Sequence, residues 1–334
     1  MRSVFDPRQL LHAPALELHN GGFVPFAERP DRADSILAAI GGAEAAVDHG
    51  EVPLRAVHDE AYLAFLWSAH QDWRAAGRKG DASGYAWPVV RRRRLDLERI
   101  DARLGQYSFD ASSPIAAETW EGAYWSAQTA LTALDFLLAG EGAAFALCRP
   151  PGHHCGRDYL GGYCYLNNAA IAAESAVAAG RKVAILDIDY HHGNGSQDIF
   201  YARGDVLFVS IHADPVMDYP YYWGHADETG EGEGEGANLN LPLPRGADLA
   251  QYLPALETAL ARIAVFAPDL LVLSYGADTF VDDPISHFRL ETRDYATIAR
   301  RIAGLAIPIL VVMEGGYDVG ALGANVASFL EGLA

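Results

Sequence analysis

The sequence is short of cysteine, of positive charge and of long apolar runs, and each shortage excludes something. Cys148, Cys155 and Cys164 are the only cysteines, an odd number with no C-x-x-C spacing. That is a poor disulfide framework and predicts a reducing compartment. Lys and Arg total 25 against 44 Asp and Glu, a net charge of −19. Such an excess opposes binding to a nucleic-acid backbone and suits either solubility or attraction of small cations. No run of about 18 uninterrupted apolar residues occurs, so no membrane-spanning helix is expected. The stretch from Met1 to Pro7 lacks the apolar core of an export signal, and a cytoplasmic location is the expectation.

What remains is a chain of 334 residues, half of them hydrophobic, able to bury a large core. Helices are predicted over 32–40, 54–75 and 118–138. Short apolar runs at 143–148, 183–186, 206–211, 270–274 and 309–313 alternate mostly with helical stretches. This β/α alternation predicts a mainly parallel sheet covered on both faces, within a single α/β domain spanning 1–334. Between 77 and 113 the pattern weakens into a long excursion of the kind that forms lids or contact loops. It contains Arg91-Arg92-Arg93-Arg94, which in so acidic a chain suggests a subunit contact or a solvated face rather than a nucleic-acid site.

Polar clusters follow the apolar runs. After the first come Arg149-Pro150-Pro151-Gly152-His153-His154; after the second, Asp187-Ile188-Asp189-Tyr190-His191; then His212, then Asp278, then Glu314-Gly315-Gly316-Tyr317. Five strand ends therefore aim ionisable or hydroxyl groups at one rim, where open α/β sheets collect ligands. In an extended segment Asp187, Asp189 and His191 face one side. Aspartate with histidine favours zinc or another first-row dication, and a catalytic site keeps a position open. Asp278, from a separate strand end, completes an Asp2His site with Asp189 and His191, unless it merely caps a helix. Asp187 is then free to orient an imidazole. His154 suits a general base with His153 beside it, and Tyr317, in a glycine turn, suits a hydroxyl donor to an oxyanion. The plainer readings are capped loops and a tyrosine packed under the rim.

These motifs, with Gly161-Gly162-Tyr163-Cys164-Tyr165-Leu166-Asn167-Asn168 and Glu28-Arg29-Pro30-Asp31-Arg32, make the chain similar over nearly its whole length to one family. It resembles the zinc-dependent histone deacetylase superfamily, and within it the bacterial acetylpolyamine amidohydrolase branch. The resemblance implies an arginase-deacetylase fold and one Zn2+ on Asp189, His191 and Asp278. It also implies catalytic roles for His153, His154, Asp187 and Tyr317, and a structural K+ near Asp187, Asp189, His191, Ser210 and Ile211. Gly162, Tyr163 and Tyr219 match the acyl tunnel, with tyrosines where phenylalanines often stand. Glu17 and Asp101 match carboxylates that recognise remote ammonium groups, while Ser112 replaces an acidic residue. Asn194 stands where histone-directed members carry aspartate. The 77–113 segment resembles an insertion that builds a homodimer and narrows the tunnel mouth.

The expected activity is removal of acetyl groups from N-acetylated polyamines or similar small cationic amines. A protein acetyl-lysine deacetylase is the alternative, and a non-catalytic acetyl-ligand sensor a weaker one. A dimanganese hydrolase of arginase type would need more bridging carboxylates than the rim offers.

Overall fold

Every apolar run of the sequence becomes a strand. In a computed structural model describing residues 1–88 and 95–334, the strands in chain order are β1 (Arg2–Val4), β2 (Leu16–His19), β3 (Gly22–Pro25), β4 (Ala143–Ala146), β5 (Val183–Asp187), β6 (Val206–Ala213), β7 (Asn238–Leu243), β8 (Leu270–Tyr275) and β9 (Ile309–Met313). Seven of them form one sheet in the order β1-β4-β9-β8-β5-β6-β7, while β2 and β3 form a separate hairpin. All pairings in the large sheet are parallel. The fold is therefore the expected α/β architecture.

The strands read as continuous apolar runs because both faces are covered. Val183 and Ile185 enter one core, with the helices Thr119–Leu138 and Asn168–Ala178; Ala184 and Leu186 enter the other, with the helices Leu249–Phe266, Thr292–Ala303 and Val319–Leu333. No helix among the described residues is long and apolar enough to cross a membrane.

The sheet order positions the site. β8 pairs with β5 in a register that sets Asp187 opposite Ser274, so the loops carrying Asp189, His191 and Asp278 leave adjacent strands. β9 lies on the other side of β8 and β4 beyond it, which brings Glu314–Tyr317 and Arg149–His154 to the same rim.

Three features differ from the sequence reading. The 54–75 helix is two, Val52–Val57 and Glu60–Ala75, because Asp59 turns out of helical geometry and caps the second through Ala61 N. The excursion contains a short helix, Ile100–Gln106, and its arginine run, Arg91–Arg94, lies outside the described residues. β7 is an additional strand, with buried Asn238 and Asn240 bonded to Gln197 and to the segment around Glu228. Its sequence, Asn-Leu-Asn-Leu-Pro-Leu, alternates as a strand does, but the more buried side carries the asparagines.

Candidate metal centre and substrate pocket

At the ends of β5 and β8, ligand atoms of Asp189, His191 and Asp278 all lie within 4.8 Å of one another. The carboxylates are fixed by backbone amides. Asp189 accepts from Gly315 N at 2.8 Å and from His191 N at 2.9 Å; Asp278 accepts from Tyr190 N at 3.0 Å. Asp278 therefore serves the loop after β5 instead of capping a helix. Nδ1 of His191 is 3.1 Å from Asp278 Oδ2 and 3.4 Å from Asp189 Oδ1. A Cβ on Gly315 would come within 2.6 Å of both carboxylates, so only glycine lets the β9 turn approach this closely.

The residues fit a dication. Burial and the neighbouring Asp189 carboxylate push the Asp278 carboxyl above its ordinary range. Two carboxylates confined together in low dielectric favour a shared cation, and the mixed oxygen and nitrogen donors are those of zinc or a first-row relative.

The two histidines after the Pro-Pro-Gly turn have opposite electrostatics although their rings are 4.0 Å apart. Burial opposes charge on His153, but Asp187, 3.0 Å from its Nδ1, and Asp189 outweigh it and hold its pKa up at about 10. For His154, burial and then the charges of His153 and His191 drive the pKa well below its ordinary value. Its Nδ1 faces Asn194 Oδ1 at 2.7 Å, and Asn194 Nδ2 is directed to carbonyl and hydroxyl oxygens. The amide oxygen therefore accepts from Nδ1–H, leaving Nε2 of His154 with a lone pair.

Beneath the tandem, Glu314 accepts from Gly152 N at 2.7 Å, His153 N at 3.2 Å and Ser274 Oγ at 3.0 Å. Burial raises its carboxyl to about 7. The turn bearing Tyr317 is held by Arg32, which donates to Gly316 O and Glu314 O at 2.6 Å each. Glu28 bridges Arg32 at 2.7 Å and Arg149 at 3.0 Å, all three side chains being buried. The sequence reading quotes Glu28 and Arg32 in one motif; their i, i+4 spacing signals that pair, and the link to Arg149 appears only in the fold. Burial keeps the Tyr317 phenol far above its ordinary pKa, against the pull of Arg32, so it remains a neutral O–H donor.

A cavity of about 440 Å3 opens over this floor, lined by His154, His191 and Tyr317 below and by Gly162, Tyr163 and Tyr219 along its sides. Its lining sets the Tyr163 and Tyr219 rings beside the imidazoles and the Tyr317 phenol, which suits a small ligand bearing an acyl group.

The histone deacetylase domain model matches residues 27–333. The chain belongs to the histone deacetylase family. It is 48% identical over 338 residues to acetylpolyamine amidohydrolase 2 of Pseudomonas aeruginosa, covering 99% of this chain and 98% of that one. It is 46% identical to the acetylpolyamine amidohydrolase of Mycoplana ramosa, over the full length of both. The crystal structure of an acetylpolyamine aminohydrolase from Burkholderia pseudomallei superposes with a TM-score of 0.96 at 43% identity, covering 100% of this chain and 98% of that one.

Within this family fold, the two cavity-lining tyrosines Tyr163 and Tyr219 direct their hydroxyls to carboxylates. Tyr163 donates to Glu17 at 3.0 Å and Tyr219 to Asp110 at 2.7 Å. Gly162 has φ +54° and packs against the His154 ring, leaving no room for a Cβ. Glu17 is buried behind Tyr163 and not on the cavity wall. Asp101 is farther removed: Arg78 and Arg99 hold its carboxylate at 2.7 and 2.8 Å, and it lines a different surface hollow with Asp72 and Arg103. Within one chain its charge is already matched, so the expectation that it faces the tunnel mouth does not hold there. Asp110, which sequence reasoning passed over, does line the cavity, as does Ser112.

The end of β6 also departs from expectation. His212 is buried between Ser210 Oγ at 2.7 Å and Gly224 O at 2.8 Å and does not line the cavity. Ser210 pairs in register with Asp187 across β5 and β6, with Ile211 next to it.

Proposed function

We propose that this protein is a mononuclear metal-dependent amidohydrolase that removes acetyl groups from N-acetylated polyamines or similar small acetylated amines, releasing acetate. The observation that carries the reading is an Asp2His cluster whose His191 lines the same cavity as His154 and Tyr317. The full-length similarity to relatives named for acetylpolyamines supports the substrate class.

Asp189, His191 and Asp278 would hold the ion, zinc being the best match to the donors. Such an ion supplies Lewis acidity toward the amide carbonyl and lowers the pKa of water. The protein's own groups do the rest. Nε2 of His154 accepts a proton from the attacking water and returns it to the leaving amine. His153, charged and held by Asp187, steadies negative charge developing beside it. Tyr317 donates its O–H to the carbonyl oxygen as that oxygen becomes anionic. Tyr163 and Tyr219 flank the alkyl chain and keep water away.

A structural potassium ion is proposed at Asp187, Asp189, His191, Ser210 and Ile211, supported by the register pairing of Asp187 with Ser210. Melting in potassium against tetramethylammonium buffer tests it, with a higher Tm expected in potassium. A homodimer built through 77–113 is likewise proposed, and sedimentation of the full chain tests it.

The deciding experiment is a substrate panel with the metal-loaded enzyme: N-acetylputrescine, N-acetylcadaverine and acetylspermidine beside an acetyl-lysine peptide. Preference for the small amines is expected. Preference for the peptide would overturn the substrate assignment while leaving the amide chemistry intact.

A further inference from the structure

Two aspartates line the cavity, and their charges are handled differently. Asp218 accepts from Arg245 Nε and Nη2, both at 2.8 Å, so a guanidinium on the same wall balances it. Among the described residues, Asp110 is bonded only to neutral donors. Its Oδ2 accepts from Gly162 N at 2.8 Å, Tyr219 OH at 2.7 Å and Ser112 Oγ at 2.7 Å; its Oδ1 accepts from Ser112 N at 3.1 Å. None of these donors brings a positive charge to set against the carboxylate. Glu17, a further acidic group near the wall, reaches the cavity through the Tyr163 hydroxyl.

We infer that Asp110 is the residue that makes this pocket select a cationic chain, by presenting an unbalanced negative charge to the ammonium group of the substrate. The assignment rests on the proposed deacetylase reading and adds a specificity determinant to it. Asp110 also ties two cavity walls together, because one oxygen receives both the Tyr219 hydroxyl on one side and the Gly162 amide on the other. The wall contact fixes where the carboxylate sits. The charge decides which chains are drawn in. Asp218, paired with Arg245, lines the same cavity without adding net attraction for a cation.

The test compares two substrates of one shape: N-acetylputrescine, and N-pentylacetamide, which carries a methyl group in place of the ammonium. The quantity read is the ratio of their kcat/KM values in wild type and in Asp110→Asn, each loaded with zinc and checked for metal content. Asparagine keeps an acceptor for Tyr219 and removes the charge. The ratio is expected to fall about tenfold in the variant, mainly through the KM of the cation, as suits one Coulomb contact at a partly buried site. In wild type the ratio is also expected to fall as salt rises from about 20 mM to about 500 mM, and in Asp110→Asn to be flat.

Equal losses on both substrates would mean that Asp110 only holds the walls, and would overturn the assignment. So would an unchanged ratio, or a wild-type ratio indifferent to salt, and the last measurement stands even if the variant does not fold. Failure of metal-loaded wild type to hydrolyse either amide would contradict the deacetylase reading itself, a result distinct from failure of the Asp110 assignment.

Discussion

Nδ1 of His154 lies 2.7 Å from the amide oxygen of Asn194, whereas Nδ1 of the adjacent His153 lies 3.0 Å from the carboxylate of Asp187. The carboxylate holds His153 charged, and the amide fixes the tautomer of His154 without favouring its protonation. Replacing Asn194 by Asp would stabilise charged His154. The acidic limb of the kcat/KM profile should then move to higher pH, with activity near neutrality falling about tenfold. A profile identical to wild type would remove His154 as the base.

Tyr317 is carried on a turn that Arg32 anchors through Gly316 O and Glu314 O. Tyr317→Phe leaves those anchors and the metal ligands in place while deleting the hydroxyl. Its kcat should drop about 100- to 1,000-fold, the usual cost of losing one oxyanion donor, with metal content unchanged. Turnover at the wild-type rate would exclude the phenol from the reaction.

Glu17 offers a pH-dependent test of stability. Burial raises its carboxyl from 4.5 to about 7 in the folded protein, against the bond from Tyr163. The folded state therefore holds this proton more tightly than the unfolded chain. The stability it contributes is fully present below about pH 4.5 and is lost as pH rises through about 7. Glu17→Gln, which keeps an acceptor for Tyr163, should gain about 1–3 kcal/mol relative to wild type between pH 5 and pH 8. Thermal or urea unfolding across that range checks this, and a constant difference between the two proteins would refute it.

Much of this site was legible in the sequence because its residues follow apolar runs whose strand character is unmistakable. Asp189, His191 and Asp278 come together because β5 and β8 are neighbours, and the β/α alternation confines candidate ligands to strand ends even though it does not specify strand order. The match of motifs to the deacetylase family supplied the rest. What sequence hid was side-chain pairing over long separations. Nothing local shows that Asp101 is held by Arg78 and Arg99, that Glu28 joins Arg32 to Arg149, or that Tyr219 reaches back to Asp110. β7 alternates with strand period, but its buried asparagines and the distant polar groups that satisfy them are paired only in the fold.

Gly315 is predicted to be required for metal retention. A methyl group there would stand 2.6 Å from an oxygen of Asp189 and of Asp278, too close for unbonded atoms, so either the turn or the carboxylates must shift. Gly315→Ala should weaken metal affinity at least tenfold in competition with a chelator. Retention equal to wild type would show that the β9 turn moves freely.

The central claim is one dication held by Asp189, His191 and Asp278, and elemental analysis of purified full-length protein measures it directly. Wild type prepared with zinc should contain one equivalent per chain, and Asp278→Ala close to none while still folded by circular dichroism. No transition metal in wild type, two equivalents per chain, or undiminished metal in Asp278→Ala would contradict it.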